Sequence, residues 1–192
     1  SFLAVLAALG VAAGVPAWFS SPPPTRFESS LEYVFPYQPD RRIQTLSLGA
    51  SWGKSYLDRR LELYLGMTAT HAWGSLTQPP GAGFLNGTSQ DDAASGLGPA
   101  FTARVTPLRA GDLEFSLDGS AGVILYDGRF PAGGDIYNFM FRAGPRFGLA
   151  LDQRTSLFLK YQWMHVSNGQ GLGPWNPSYE GEGPVAGLNW GF

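Results

Sequence analysis

The chain contains no cysteine, which excludes disulfide bridges and every reaction that runs through a thiol. Charge is scarce too. Asp, Glu, Lys and Arg make up 15% of the 192 residues, and the formal net charge is −2. Such a balance leaves no basic footprint for nucleic acid, which is excluded as a partner. Mean hydropathy is −0.08, so a polytopic helical membrane protein is excluded as well. The sequence carries no P-loop, no zinc-spaced ligand set and no dinucleotide fingerprint. No metal and no cofactor is expected. What is plentiful is glycine, with 26 residues, together with 13 Phe, 8 Tyr and 6 Trp; the glycine share is about twice the usual one. Strands, tight turns and aromatic belts use that composition better than a helical enzyme does. A transmembrane β-barrel fits, because alternation along its strands averages hydropathy towards zero.

The N-terminus differs in kind. Residues 2–15, FLAVLAALGVAAGV, are uncharged and rich in Ala and Leu. The run is short for a spanning helix and has the length of a signal-peptide apolar region. Val15, Pro16 and Ala17 resemble the small-residue cleavage pattern. Residues 1–17 are therefore expected to be a signal-peptide remnant, the alternative being a buried or interfacial helix of the mature chain. Residues 18–26, which include SSPPPT, read as a linker, and 27–192 as the barrel.

From Phe27 onward, eight segments alternate with period two: 27–35, 43–52, 61–73, 98–106, 113–126, 137–151, the first half of 155–180, and 179–192. In a strand this period sends alternate side chains to opposite faces. Leu61, Leu63, Leu65, Met67, Ala69 and Trp73 share one face of the third segment, with Glu62, Tyr64, Gly66, Thr68 and Thr70 opposite. Glu114 and Asp118 share a face of the fifth, as do Arg142 and Arg146 of the sixth; in a narrow lumen these charges can pair. An even set of eight is the smallest outer-membrane barrel. The large aromatics near strand ends suit an interfacial girdle, and the chain closes on Phe192. A soluble sandwich or lipocalin-like barrel, with the apolar face turned inward, is the competing architecture. The expected fold is all-β: an eight-stranded antiparallel transmembrane outer-membrane β-barrel.

The connections 53–60, 107–112 and 152–154 are short, whereas 74–95 and 169–178 are long. Short turns belong on the periplasmic side and long loops outside, which sends the seventh strand outward. Its apolar face carries Leu157, Leu159, Tyr161 and Trp163 and then ends in His165 and Ser167. Residues two apart in a strand have Cα atoms about 6.6 Å apart, so these side chains can meet. Glu180 opens the next antiparallel strand and shares the parity of Leu188, Trp190 and Phe192. Pro184 makes a bulge conceivable there, since proline cannot pair within a central ladder. A serine needs a base, and the base needs a third group to hold it. A bare His-x-Ser is weak as a pattern, and solvated residues at a strand end are its ordinary reading.

The longer run is more specific: His165, Ser167 and Asn168, a glycine-rich loop, then Asn176, Pro177 and Glu180. It resembles the lipid A deacylase (PagL) family of outer-membrane serine esterases. The resemblance implies an eight-stranded barrel in the bacterial outer membrane, with a metal-free triad on its outer surface facing the outer leaflet. It implies removal of the ester-linked acyl chain at the 3-position of lipid A, with Ser167 as nucleophile, His165 as general base and acid, and Glu180 orienting the imidazole. Asn168 matches the motif position implicated in the oxyanion hole, and Asn176 the second motif asparagine. The family often reads Ser-Asn-Ala-Gly where this chain has Asn168, Gly169, Gln170 and Gly171 after Ser167, so the backbone donor could be Gly169, Gln170 or Gly171. The implied partners are lipid A or lipopolysaccharide and outer-membrane lipids, and a homodimer stays open. The rival function is a non-enzymatic small barrel serving adhesion or structure, with a degenerate triad; a phospholipase of the same barrel type differs only in substrate. His71 is expected at the outward interface, and Asp91, Asp92, Asp127 and Asp135 in external loops as solvated charge.

Overall fold

The computed structural model describes residues 18–19, 23–77, 89–169 and 177–192. Eight strands follow in order: β1 (Arg26–Pro36), β2 (Arg41–Tyr56), β3 (Leu61–Thr77), β4 (Ser89–Ala110), β5 (Leu113–Phe130), β6 (Asp135–Ala150), β7 (Thr155–Ser167) and β8 (Tyr179–Gly191). Each pairs antiparallel with the next, and β8 returns to β1 to close the barrel. Closure satisfies the backbone of both terminal strands and leaves no edge. The all-β, eight-stranded antiparallel barrel is borne out.

Period-two patterning decides which side chains go where. Leu31, Leu48, Leu97, Leu117, Leu125, Phe147 and Leu159 stand exposed on the outer wall. A wall of this kind requires hydrocarbon rather than water around it. Outward aromatics band it at two levels. Phe27 packs against Trp52 and Trp190 at the end that holds β1's start, here the terminal end. Tyr33, Phe35 and Trp73 cluster towards the opposite, loop end.

The lumen has two storeys. Near the terminal end it is ionic. Arg104 meets Asp118 at 2.8 Å and Glu28 at 2.9 Å, Arg146 meets Glu114 at 3.1 Å, and Arg142 meets Glu32 at 3.0 Å. Of the four charges expected to pair in the lumen, Glu114 and Arg146 meet each other. Asp118 turns instead to Arg104 and, at 3.7 Å, to Lys160, and Arg142 turns to Glu32. Near the loop end the lumen is apolar, filled by Val34, Ile43, Ile124, Tyr126, Phe130, Met140, Met164, Val166 and Tyr179.

Several strands run longer than expected. β3 continues to Thr77 and β4 starts at Ser89, so much of the 74–95 stretch is paired ladder. Asp91 and Asp92 therefore lie in β4, Asp127 lies in β5, and Asp135 opens β6; none of the four is a loop residue. Once two strands are paired, the ladder continues through polar sequence as long as both backbones find partners. At the terminal end two connections shrink, to 57–60 and 111–112, while the third, 151–154, is one residue longer than expected. Gly111, at φ 60°, supplies the left-handed first position of the two-residue β4–β5 turn.

The feared bulge at Pro184 is absent. β7 and β8 keep one register from Thr155↔Trp190 to Val166↔Tyr179. On the other side, the β1–β8 ladder omits Tyr33 and Val34 opposite Pro184 and Gly183, then resumes unshifted at Phe35↔Glu182. The proline costs a gap in one ladder and leaves side-chain parity intact. Gly183 is needed beside it, because a Cβ there would lie 2.0 Å from the Tyr33 carbonyl oxygen.

Residues 1–17, read as a signal remnant, lie outside the described residues. Of the 18–26 stretch read as a linker, Arg26 already belongs to β1. Trp18 is buried on the outer wall against Leu63 and Phe101; the Lys54 ammonium sits 4.5 Å from its ring centroid.

Candidate active site

The ends of β7 and β8 build the site. Along β7, Met164 and Val166 point inward and are fully buried in the apolar storey, so His165 and Ser167 must point outward. Tyr179, also fully buried, anchors β8 in the same storey and sends Glu180 outward. The register pairs His165 directly with Glu180, the distance at which cross-strand side chains meet. Glu180 Oε1 lies 2.8 Å from His165 Nδ1. An ionised carboxylate only accepts, so Nδ1 carries a proton, and in the neutral tautomer Nε2 is the free acceptor. The imidazole and carboxylate side chains are 22% and 21% exposed, sheltered yet reachable from the bilayer side.

Ser167 follows on the same face and is 8% exposed. Its hydroxyl makes no hydrogen bond to His165 among the described residues, so the dyad stands open. Asn168 is buried beside it at 3% exposure, and Gly169 turns the chain out of β7 through φ 82°. Gln170, Gly171 and Asn176 lie outside the described residues. The structure thus brings together His165 and Glu180, keeps Ser167, Asn168 and Gly169 adjacent, and describes nothing of the other three.

The sequence reading missed a set of residues that grips the acid. Tyr37, in the β1–β2 connection, donates its hydroxyl to Glu180 Oε2, and Gln38 Nε2 donates to the same oxygen at 3.4 Å. Trp163 stacks on His165, with centroids 6.0 Å apart and planes at 22°, while its Nε1–H donates to the Tyr37 hydroxyl at 3.1 Å. Arg41 donates at 2.6 Å to both the carbonyl and the hydroxyl of Ser178, pinning the residue two positions before Glu180. Partial burial, and then the bond to Glu180, raise the Tyr37 phenol above its ordinary pKa, so it stays protonated and donating.

His71 lies on the outward face as expected, stacked on Trp73 at 5.5 Å and 3.0 Å from Ser95 Oγ. Among the described residues, no group of three or more His, Asp or Glu side chains could hold a metal ion.

No family model matches the sequence, and no curated protein matches it significantly. Among solved structures, the crystal structure of the outer membrane enzyme PagL is similar, with 19% identity and a TM-score of 0.54 over 83% of this chain and 97% of that one. The β domain of the Bordetella autotransporter BrkA aligns over 89% of this chain and 100% of its own, at 12% identity and a TM-score of 0.36. At such identities, the PagL likeness establishes the outer-membrane barrel fold; the second is too distant to add to it.

Proposed function

We propose that this protein is an outer-membrane serine esterase that hydrolyses an ester-linked acyl chain of lipid A, at the 3-position, through Ser167, His165 and Glu180. The observation that carries the reading is the 2.8 Å His165–Glu180 pair on the outer wall, with Ser167 two residues along the same face. A histidine held by a carboxylate beside a serine is the base and orienting group that a serine esterase requires. It is placed to activate a nucleophile against a substrate already dissolved in the bilayer.

In this mechanism His165 Nε2 takes the Ser167 hydroxyl proton as Oγ attacks the acyl carbonyl carbon. Glu180 stabilises the imidazolium that forms. The oxyanion is held by Asn168 and by N–H groups of the turn after Ser167, from Gly169, Gln170 or Gly171; each such donor contributes roughly 3 kcal/mol. Collapse breaks the bond to the sugar oxygen, which leaves with the proton from His165. Water, deprotonated by the same imidazole, then cleaves the acyl-enzyme and releases the fatty acid. With both termini periplasmic, the site stands at the outer leaflet, where this glycolipid resides. β7 and β8 have 13 residues each, whereas β3 and β4 have 17 and 22. The paired ladder is therefore shorter on the side of the site, which keeps the triad near membrane level.

A fluorophosphonate probe separates an esterase from a barrel with a degenerate triad. Labelling of the wild-type chain that is lost in both Ser167→Ala and His165→Ala is expected. A wild-type chain that stays unlabelled, or a Ser167→Ala chain that labels normally, sinks the proposal.

A further inference from the structure

We infer that Tyr37 is a positioning residue of this site, acting through Glu180 and Trp163 to fix the acid and the imidazole together. The inference rests on the triad reading above and extends it to a residue from the opposite end of the chain. Its origin lies in barrel closure. The β1–β8 register pairs Phe35 with Glu182 and Pro36 with Gly181; one step further it sets Tyr37 opposite Glu180. The same register in β7–β8 sets His165 opposite Glu180. Phe141, His165, Glu180 and Tyr37 thus form one row across four neighbouring chain segments.

Within that row the two carboxylate oxygens have separate duties. Oε1 faces His165 Nδ1 at 2.8 Å, and Oε2 accepts from Tyr37 and Gln38. A carboxylate with only one tethered oxygen can rotate about its last torsion, which is broad and poorly fixed by rotamer preference. The tether on Oε2 removes that freedom and leaves Oε1 on the imidazole. Tyr37 fixes the base from a second direction. It accepts from Trp163 Nε1–H at 3.1 Å, and the Trp163 ring lies nearly parallel to the imidazole at 22°. One hydroxyl therefore sets the in-plane partner of His165 and the ring that packs on its face.

The chemistry of the seam supports a dedicated arrangement. Arg41, the first residue of β2, clamps Ser178 through two 2.6 Å bonds, so Tyr37 and Arg41 hold the residues on either side of Tyr179. The phenol is a donor at neutral pH as any tyrosine is, and partial burial raises its pKa further. A hydroxyl that stays a donor to an ionised carboxylate is the stronger class of hydrogen bond.

The test is a double-mutant cycle on the full chain in detergent micelles, with purified lipid A as substrate and Tyr37→Phe, Glu180→Ala and the double variant compared. Phe keeps the ring and removes only the hydroxyl. Tyr37→Phe is expected to lower kcat about tenfold or more, the loss of one hydrogen bond to a charged group, with KM changed less than about twofold. In the Glu180→Ala background the same substitution should cost much less, because only the part of its effect that travels through Trp163 remains. Losses that multiply in the double variant, or an unchanged kcat in Tyr37→Phe, overturn the inference. A second readout does not depend on esterase activity. In NMR titrations of His165, Tyr37→Phe should shift the midpoint when Glu180 is present and shift it less in Glu180→Ala. If Ser167→Ala kept full activity, the assignment of Ser167 as nucleophile would fail while this titration still decided the role of Tyr37; an unmoved midpoint with Glu180 present refutes that role.

Discussion

The two storeys of the lumen are built from opposite chemistry, and the difference explains where the site can stand. In the terminal storey, Arg26, Arg104, Arg142, Arg146 and Lys160 face Glu28, Glu32, Glu62, Glu114 and Asp118. Arg104 alone bridges Asp118, Glu28 and Glu62, and stacks over the Tyr64 ring at 4.6 Å. Every charge there is answered, as burial demands. Among the described residues, the loop storey contains no such network. Its apolar plug is closed by the β5–β6 hairpin, whose Phe130 is fully buried and whose carbonyl accepts from Asn138 at 2.8 Å. Charges confined to the terminal storey hold the barrel closed. The plug instead holds strand ends still, and Met164, Val166 and Tyr179 alternate in sequence with His165, Ser167 and Glu180. The site therefore depends on the apolar storey and is insulated from the ionic one.

Substitutions in each storey separate these roles. Arg104→Ala removes the partner of three carboxylates and should destabilise the barrel by about 3–5 kcal/mol. Activity per folded molecule should stay near wild type. Denaturant unfolding in micelles, read beside active-site titration, checks both halves; a specific-activity loss as large as the stability loss would end the insulation argument. Met164→Ala should cost less stability, about 2–3 kcal/mol from the cavity it leaves, yet lower specific activity several-fold by loosening the strand between Trp163 and His165. If Met164→Ala lost only stability, the plug would be no more than filling.

Much of the barrel was legible because alternation is a local signal. Parity alone placed Leu61 to Trp73 outward and Glu62 to Thr70 inward. It also set His165, Ser167 and Glu180 on one face, and the register kept that parity past Pro184. Strand length was less legible. Ser89, Asp91, Asp92 and Ser95 show no apolar alternation, and only pairing with β3 makes them strand. Ion-pair partners were half legible, since faces follow from parity but cross-lumen reach does not: Asp118 met Arg104, 14 residues away, and Arg104 also met Glu28, 76 residues away. Tyr37 was invisible. Its link to Glu180 spans 143 residues and exists only because β8 closes on β1, a register that no local pattern encodes.

In the proposed reaction Ser167, His165 and Glu180 release a fatty acid from lipid A at the outer leaflet. Mass spectrometry of lipid A from cells producing the wild-type chain or Ser167→Ala tests it directly. The wild type should yield lipid A lighter by one ester-linked acyl chain, and Ser167→Ala, folded in the same membrane, should leave it intact. Identical lipid A from the two, whether intact in both or shortened in both, would contradict the account.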